Sequence, residues 1–287
     1  MRETARSSRR SADSGPLVGS PRHAVRRSVM MHPSLYLPLA RWKRAEAEAV
    51  LDARTELILD GLERSANTFA VIAFQLAQND RVRVAHHMHA VAPLIAAAAH
   101  EVPALLTVRA PEPTIVSAMI LQPRVTARQW LKTYAAFYER LMSSRPHFVI
   151  ATFEEVTSDF GAVTRRVNER FGTRFREFDH TEENVKAVFA LIDERAAGPP
   201  WQPSLNRFVS GLSSADEYFV ATRAYRDAPA EGPRVSVEDH VGRPSAEREA
   251  SKPMVLQRYQ APSVTDLRAR AERAYKLFVG SVAEEST

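Results

Sequence analysis

Leu57-Ile58-Leu59-Asp60-Gly61-Leu62-Glu63-Arg64-Ser65-Ala66-Asn67-Thr68-Phe69 is an apolar run that turns at a glycine and leads into Ala70-Val71-Ile72-Ala73-Phe74-Gln75-Leu76. The first part has the composition of a core strand, the last part that of a buried helix. A strand entering a helix through a short polar turn gathers unpaired backbone N–H groups at one point, under the positive end of the helix dipole. Arg64, Ser65, Asn67 and Thr68 add a cation and three hydrogen-bonding side chains, a set suited to phosphate or sulfate. An ordinary strand–helix corner with a polar N-cap has the same appearance. The G-x-x-x-x-G-K-[ST] pattern of nucleotide triphosphatases is missing.

Outward from this turn, apolar strands alternate with helices. Arg81-Val82-Arg83-Val84-Ala85 alternates charged and apolar residues as a short strand does, with His86, His87 and His89 at its end. Val91 to His100 reads as an Ala-rich helix carrying Pro93 in its first turn. Ala104-Leu105-Leu106-Thr107-Val108 is a buried parallel strand by pattern, and Phe148 to Thr152 is another. Thr114 to Leu121 and Ala127 to Met142 read as helices, the second with Trp130, Tyr134, Phe137 and Leu141 along a core face. The segment from Ser158 to Phe171 is a capped amphipathic helix ending at Gly172. This order predicts an α/β three-layer sandwich, a mainly parallel sheet with helices on both faces. Ligands of such sheets bind beyond the carboxyl ends of the strands, where the polar turn, the histidines and Arg109 all fall.

The remainder is less periodic. Residues 1–30 carry seven arginines among Ser, Pro and Gly, and their composition predicts a disordered basic arm. No aromatic residue interleaves the basic ones, so no specific nucleic-acid partner is expected. Met30 and Met31 are alternative initiators. Arg44 to Asp52 is helical in composition, as is Glu182 to Glu194. Residues 199–244 lack a period, so about 180–250 is assigned to a lid or acceptor-binding region, or to a peripheral insertion. A C-terminal amphipathic helix covers 264–280 and closes a domain spanning 31–287. The absence of cysteine excludes disulfides and thiolate metal sites. No apolar run is long enough to span a membrane, and a cytoplasmic location is the default expectation.

With these residues assembled, the chain resembles the sulfotransferases that use 3′-phosphoadenosine 5′-phosphosulfate. Their first strand–loop–helix commonly reads Pro-Arg/Lys-Ser-Gly-Thr-Thr, and Glu63-Arg64-Ser65-Ala66-Asn67-Thr68 is similar to it. Their second signature, an apolar strand followed by an Arg and a Ser eight residues on, is matched by Val108, Arg109 and Ser117. Val149-Ile150-Ala151-Thr152-Phe153-Glu154-Glu155-Val156 resembles a third. The resemblance covers residues 55–172 and implies a P-loop-NTPase-like fold. Glu63, Ala66 and Asn67 depart from the pattern. Glu63 sets a negative charge beside an anion site unless it points away. Ala66 stands where the family has Gly, so the loop either keeps φ negative there or accepts strain.

The resemblance implies roles. Arg64 would contact the 5′-phosphosulfate and stabilise the departing charge. The backbone of Ser65, Ala66, Asn67, Thr68 and Phe69 would cradle the same group, with the Ser65 and Thr68 hydroxyls assisting. Arg109 and Ser117 would hold the 3′-phosphate. Counting back from Arg109 selects His87 as general base for the acceptor hydroxyl, with His86 and His89 as near alternatives. Ala85 stands where family members carry a Lys. The basic segment 242–252, with Arg243, Arg248 and Lys252, resembles a loop that closes over the donor, and is equally compatible with a solvated charged loop. The acceptor would be a hydroxyl-bearing small molecule, sugar or lipid, and a homodimer is compatible with this reading. A Zn²⁺ pair at His87 and His89 is the competing metal reading, but no nearby carboxylate completes a ligand set, so no metal is expected. A kinase of related fold lacks its loop Lys. A non-catalytic adenine-nucleotide-binding protein is the other alternative.

Overall fold

The computed structural model describes residues 20–43, 50–196, 207–211, 214, 217–218 and 246–280. Its centre is a four-stranded, wholly parallel sheet: β1 (Leu57–Gly61), β2 (Val84–His86), β3 (Ala104–Val108) and β4 (Val149–Thr152), in the spatial order β2-β1-β3-β4. β1 is fully buried in the middle, pairing Leu57 with Val84 on one side and Ile58 with Ala104 on the other. Because side chains alternate across a strand, each strand feeds two cores. Ile58, Ala85, Leu106 and Ile150 join one apolar cluster, while Leu57, Leu59, Leu105 and Val149 join the other.

Helices pack around the sheet, and most of them add residues to one core or the other. Among the described residues these are α1 (Pro21–Val29), α2 (Pro33–Lys43), α3 (Asn67–Ala77), α4 (Val91–Ala99), α5 (Pro111–Leu121), α6 (Ala127–Leu141), α7 (Phe153–Ser158), α8 (Phe160–Phe171), α9 (Glu182–Ala196), α10 (Ala246–Gln260) and α11 (Thr265–Gly280). α6 begins in a capping box between Thr126 and Gln129 and buries Trp130, Tyr134, Phe137 and Leu141, the face its periodicity predicts. α8 is capped by Asp159 and stopped by Gly172 at φ 65°. None of the described helices is long and apolar enough to cross a membrane.

Four expectations require correction. Residues 21–29, assigned to a disordered arm, form α1: Ser20 caps it, Gln129 bonds Ser20 on both backbone groups, and His23 bonds Thr133. The polar face of α6 thus supplies what the arginine-rich composition hides. β2 starts at Val84 rather than Arg81, because Arg81 turns outward to Glu217 and Arg83 to Asp52. Val50 and Leu51 are buried but not helical, and Asp52 caps a turn by accepting from the backbone N–H of Arg54. Finally, residues 246–252 are not a loop but the start of α10, which Pro253 interrupts without ending.

Candidate functional site

The carboxyl ends of β1, β2 and β3 meet around the turn 62–68, and the turn is held from below. Ser65 is fully buried; its hydroxyl donates to the carbonyl of Leu62 at 2.5 Å and accepts from the Asn67 amide at 3.2 Å. The same amide donates to Leu62 O at 3.0 Å, while its oxygen accepts from Thr107 Oγ1 on β3 at 2.7 Å. Ser65 and Asn67 therefore shape the loop from inside, and their side chains face the sheet rather than an open site. Gly61 has no alternative here, since a Cβ would lie 2.2 Å from Thr107 O. Arg64 (φ 73°) and Ala66 (φ 69°) both adopt the left-handed conformation, so of the two possibilities at Ala66 the loop takes the strained one. Ala66 is the N-cap of α3 and provides no side-chain cap for the first-turn N–H groups.

Above the loop sit the guanidinium groups. Arg64 Nε donates to Ser117 Oγ on α5 at 2.8 Å, and Arg109 Nη1 donates to the Arg64 carbonyl at 3.3 Å. Arg109 also lies over the Phe153 ring, 3.9 Å from its centroid, and its own carbonyl accepts from Tyr134 Oη at 2.5 Å. Among the described residues no carboxylate forms an ion pair with Arg64 or Arg109. Burial lowers the pKa of Arg64, and the positive charges of Arg109 and Arg248 lower it further. Burial likewise lowers that of Arg109, opposed by Glu154. Partly buried cations that repel one another, with Glu63 and Glu154 opposing only from beyond ion-pair distance, favour an anion between them. Arg64, Arg109 and Ser117, chosen from separate motifs, thus form one surface rather than two separate pockets.

The basic residues near the C-terminus divide. Arg248, on α10, is near enough for its charge to act on Arg64. Lys252 is exposed and paired with Glu249 at 3.6 Å. Arg243 lies outside the described residues. Glu63 is held by its own partners, with Arg26 of α1 pairing with it at 3.1 Å and Gln122 donating to it at 2.8 Å, and its charge partly offsets the lowering of the Arg64 pKa.

The histidines follow β2, which ends at His86. His87 (φ 53°) and His89 (φ 48°) lie beyond the strand in left-handed backbone, so the strand geometry that would place both on one face for a metal is not formed. Asp60, a charged residue in the otherwise apolar β1 run, bends this segment. Its buried carboxylate accepts from the backbone N–H of Gly61 and Met88 at 2.9 Å and of His89 at 3.0 Å. His89 Nδ1 lies 3.3 Å from Asp60 and 2.8 Å from Gly61 O. Burial works against charge on His89, but the Asp60 hydrogen bond and charge outweigh it, and the pKa is raised. His87 instead reaches the loop, with Nε2 3.0 Å from Thr68 Oγ1 in the first turn of α3. Ala85 is buried in the sheet, so charge from that position is lacking.

Compared with protein-family models, curated proteins and solved structures, the chain has no significant match. The functional reading therefore rests on the site itself. Sequence reasoning missed Asp60, whose signal was a carboxylate inside a core strand, and the anchoring of Glu63 by α1.

Proposed function

We propose that this chain is a sulfotransferase that moves a sulfuryl group from 3′-phosphoadenosine 5′-phosphosulfate to a hydroxyl of a small-molecule, carbohydrate or lipid acceptor. The observation that carries the reading is the meeting, at one end of a parallel sheet, of a helix N-terminus whose N-cap Ala66 gives no side-chain cap, two partly buried arginines that form no ion pair among the described residues, and an imidazole 3.0 Å from the first turn of that helix. The loop then acts as a P-loop-like cradle. Backbone N–H groups of the first turn of α3 would take the 5′ end of the donor, and Arg109 with Ser117 the 3′-phosphate. Arg64, which bridges the loop and α5, would be shared between them and stabilise charge on the leaving oxygen. His87 would accept the proton of the attacking hydroxyl at Nε2. The inward side chains of Ser65 and Asn67 restrict the cradle to backbone donors and Thr68.

Calorimetry with 3′-phosphoadenosine 5′-phosphate, AMP and ATP tests this. The bisphosphate should bind about 100-fold more tightly than AMP, the effect of roughly 3 kcal/mol from charge-assisted bonds to one extra phosphate. Arg109→Ala should remove that preference while AMP binding changes little. Tighter binding of ATP would replace the reading with a kinase. Bisphosphate binding without transfer of labelled sulfate to any of a broad acceptor panel would leave a non-catalytic nucleotide-binding protein.

A further inference from the structure

His86 has no part in the mechanism above, yet it is fully buried directly behind His87. It is the last residue of β2 and pairs with Leu59 in β1. Its Nδ1 lies 2.7 Å from Nδ1 of His87, with the rings nearly perpendicular at 84°. Its Nε2 lies 3.1 Å from the hydroxyl of buried Ser210. Together with the His87–Thr68 contact, this makes a continuous chain from the loop mouth to the interior: Thr68 Oγ1, His87, His86, Ser210.

The direction of that chain follows from chemistry. Two Nδ1 atoms 2.7 Å apart form a hydrogen bond only if one of them carries the proton. The Nδ1 edge of His87 is closed by a buried ring, so an acceptor molecule can meet His87 only at Nε2. A base needs its lone pair there, which puts the resting proton on Nδ1. His86 Nδ1 is then the acceptor, and the proton of His86 sits on Nε2, donated to Ser210 Oγ.

We propose that His86, anchored by Ser210, is a positioning residue that fixes His87 as the Nδ1–H tautomer and leaves Nε2 as the basic atom facing Thr68 and the anion-binding loop. The proposal rests on reading His87 as the base, but its content is a tautomer that is observable without turnover. In the reaction, the hydroxyl O–H bond breaks as the oxygen bonds sulfur and the bond from sulfur to the donor's bridging oxygen breaks. The proton goes to His87 Nε2, and His87 Nδ1–H stays shared with the neutral ring of His86. A carboxylate does this orienting work in Ser-His-Asp triads. A neutral imidazole orients without bringing negative charge toward a site built for a polyanion.

The test is long-range ¹H–¹⁵N correlation spectroscopy on the full chain with labelled histidine, with His86 and His89 assigned as well, because both rings face His87. The wild type should show His87 protonated at Nδ1 and His86 at Nε2. His86→Phe should abolish the His87 preference. Ser210→Ala, which removes one oxygen without changing the packing volume much, should weaken it. A wild-type His87 protonated at Nε2, or a His87 tautomer unchanged in both variants, overturns the proposal. The expected tautomers and responses in a protein that transfers no sulfuryl group would sink the functional reading while leaving the positioning role of His86 intact.

Discussion

Replacing Asp60 by Asn should destabilise the protein and reveal how the histidine segment is held. The carboxylate is fully buried and both oxygens accept backbone N–H groups: Gly61 on Oδ1, Met88 on Oδ2, and His89 on Oδ2 at 3.0 Å. An amide offers one acceptor and one donor, so in either orientation it turns an NH₂ toward at least one of these N–H groups. One buried donor left unmade costs about 1–3 kcal/mol, and the surviving bonds lose their charge assistance. A loss of about 3 kcal/mol is expected, which at about 2–4 °C per kcal/mol lowers Tm by roughly 6–12 °C. The penalty should depend on pH. Asp60 raises the pKa of His89 above its ordinary 6.5. That pairing therefore contributes stability fully below pH 6.5 and loses it as pH rises through the raised value. Melting curves and urea titrations from pH 6 to pH 9 should show the gap between wild type and Asp60→Asn widest at pH 6. A variant melting within about 2 °C of wild type at pH 6, or a gap that grows with pH, would refute the clamp.

Two further outcomes follow from the loop and the histidine beside it. Ala66→Gly relieves a left-handed alanine, worth about 1–2 kcal/mol, against about 0.4–1 kcal/mol of added unfolded-state entropy; urea unfolding should show a slight net stabilisation. His87→Ala should lower sulfuryl transfer by about 10²–10⁴-fold while calorimetry shows bisphosphate affinity little changed, because the proposed phosphate contacts come from other residues.

Much of the scaffold was legible because its strands are buried on both faces. β1, β3 and β4 appear as short apolar runs, and their alternation with helices implied a parallel sheet. β2 was harder to place, since its flanking arginines belong to ion pairs with Asp52 and Glu217 rather than to a strand pattern. α1 was hidden because it buries no residue of its own and is held through Gln129, Thr133 and Glu63. Within the site, the family resemblance singled out Arg64, Arg109, Ser117 and His87; the fold links the first three to one another and sets His87 against Thr68 of the same loop. Spacing could not show which way a hydroxyl or amide points. Ser65 and Asn67 have the residue types of ligand contacts, yet β3 places Thr107 beneath them and draws both side chains inward.

Tyr134 on α6 donates to the carbonyl of Arg109, and its ring leans on Tyr138, which in turn meets Phe278 of α11. Arg145 fastens the same end by donating to the Phe278 carbonyl at 2.7 Å. The arginine that would grip the donor is thus braced, through a relay of aromatic rings, by α11. A folded sheet alone leaves the backbone of that arginine without this support until residues 265–280 dock against α6. Loosening the far helix would then be felt at the anion-binding surface through that relay.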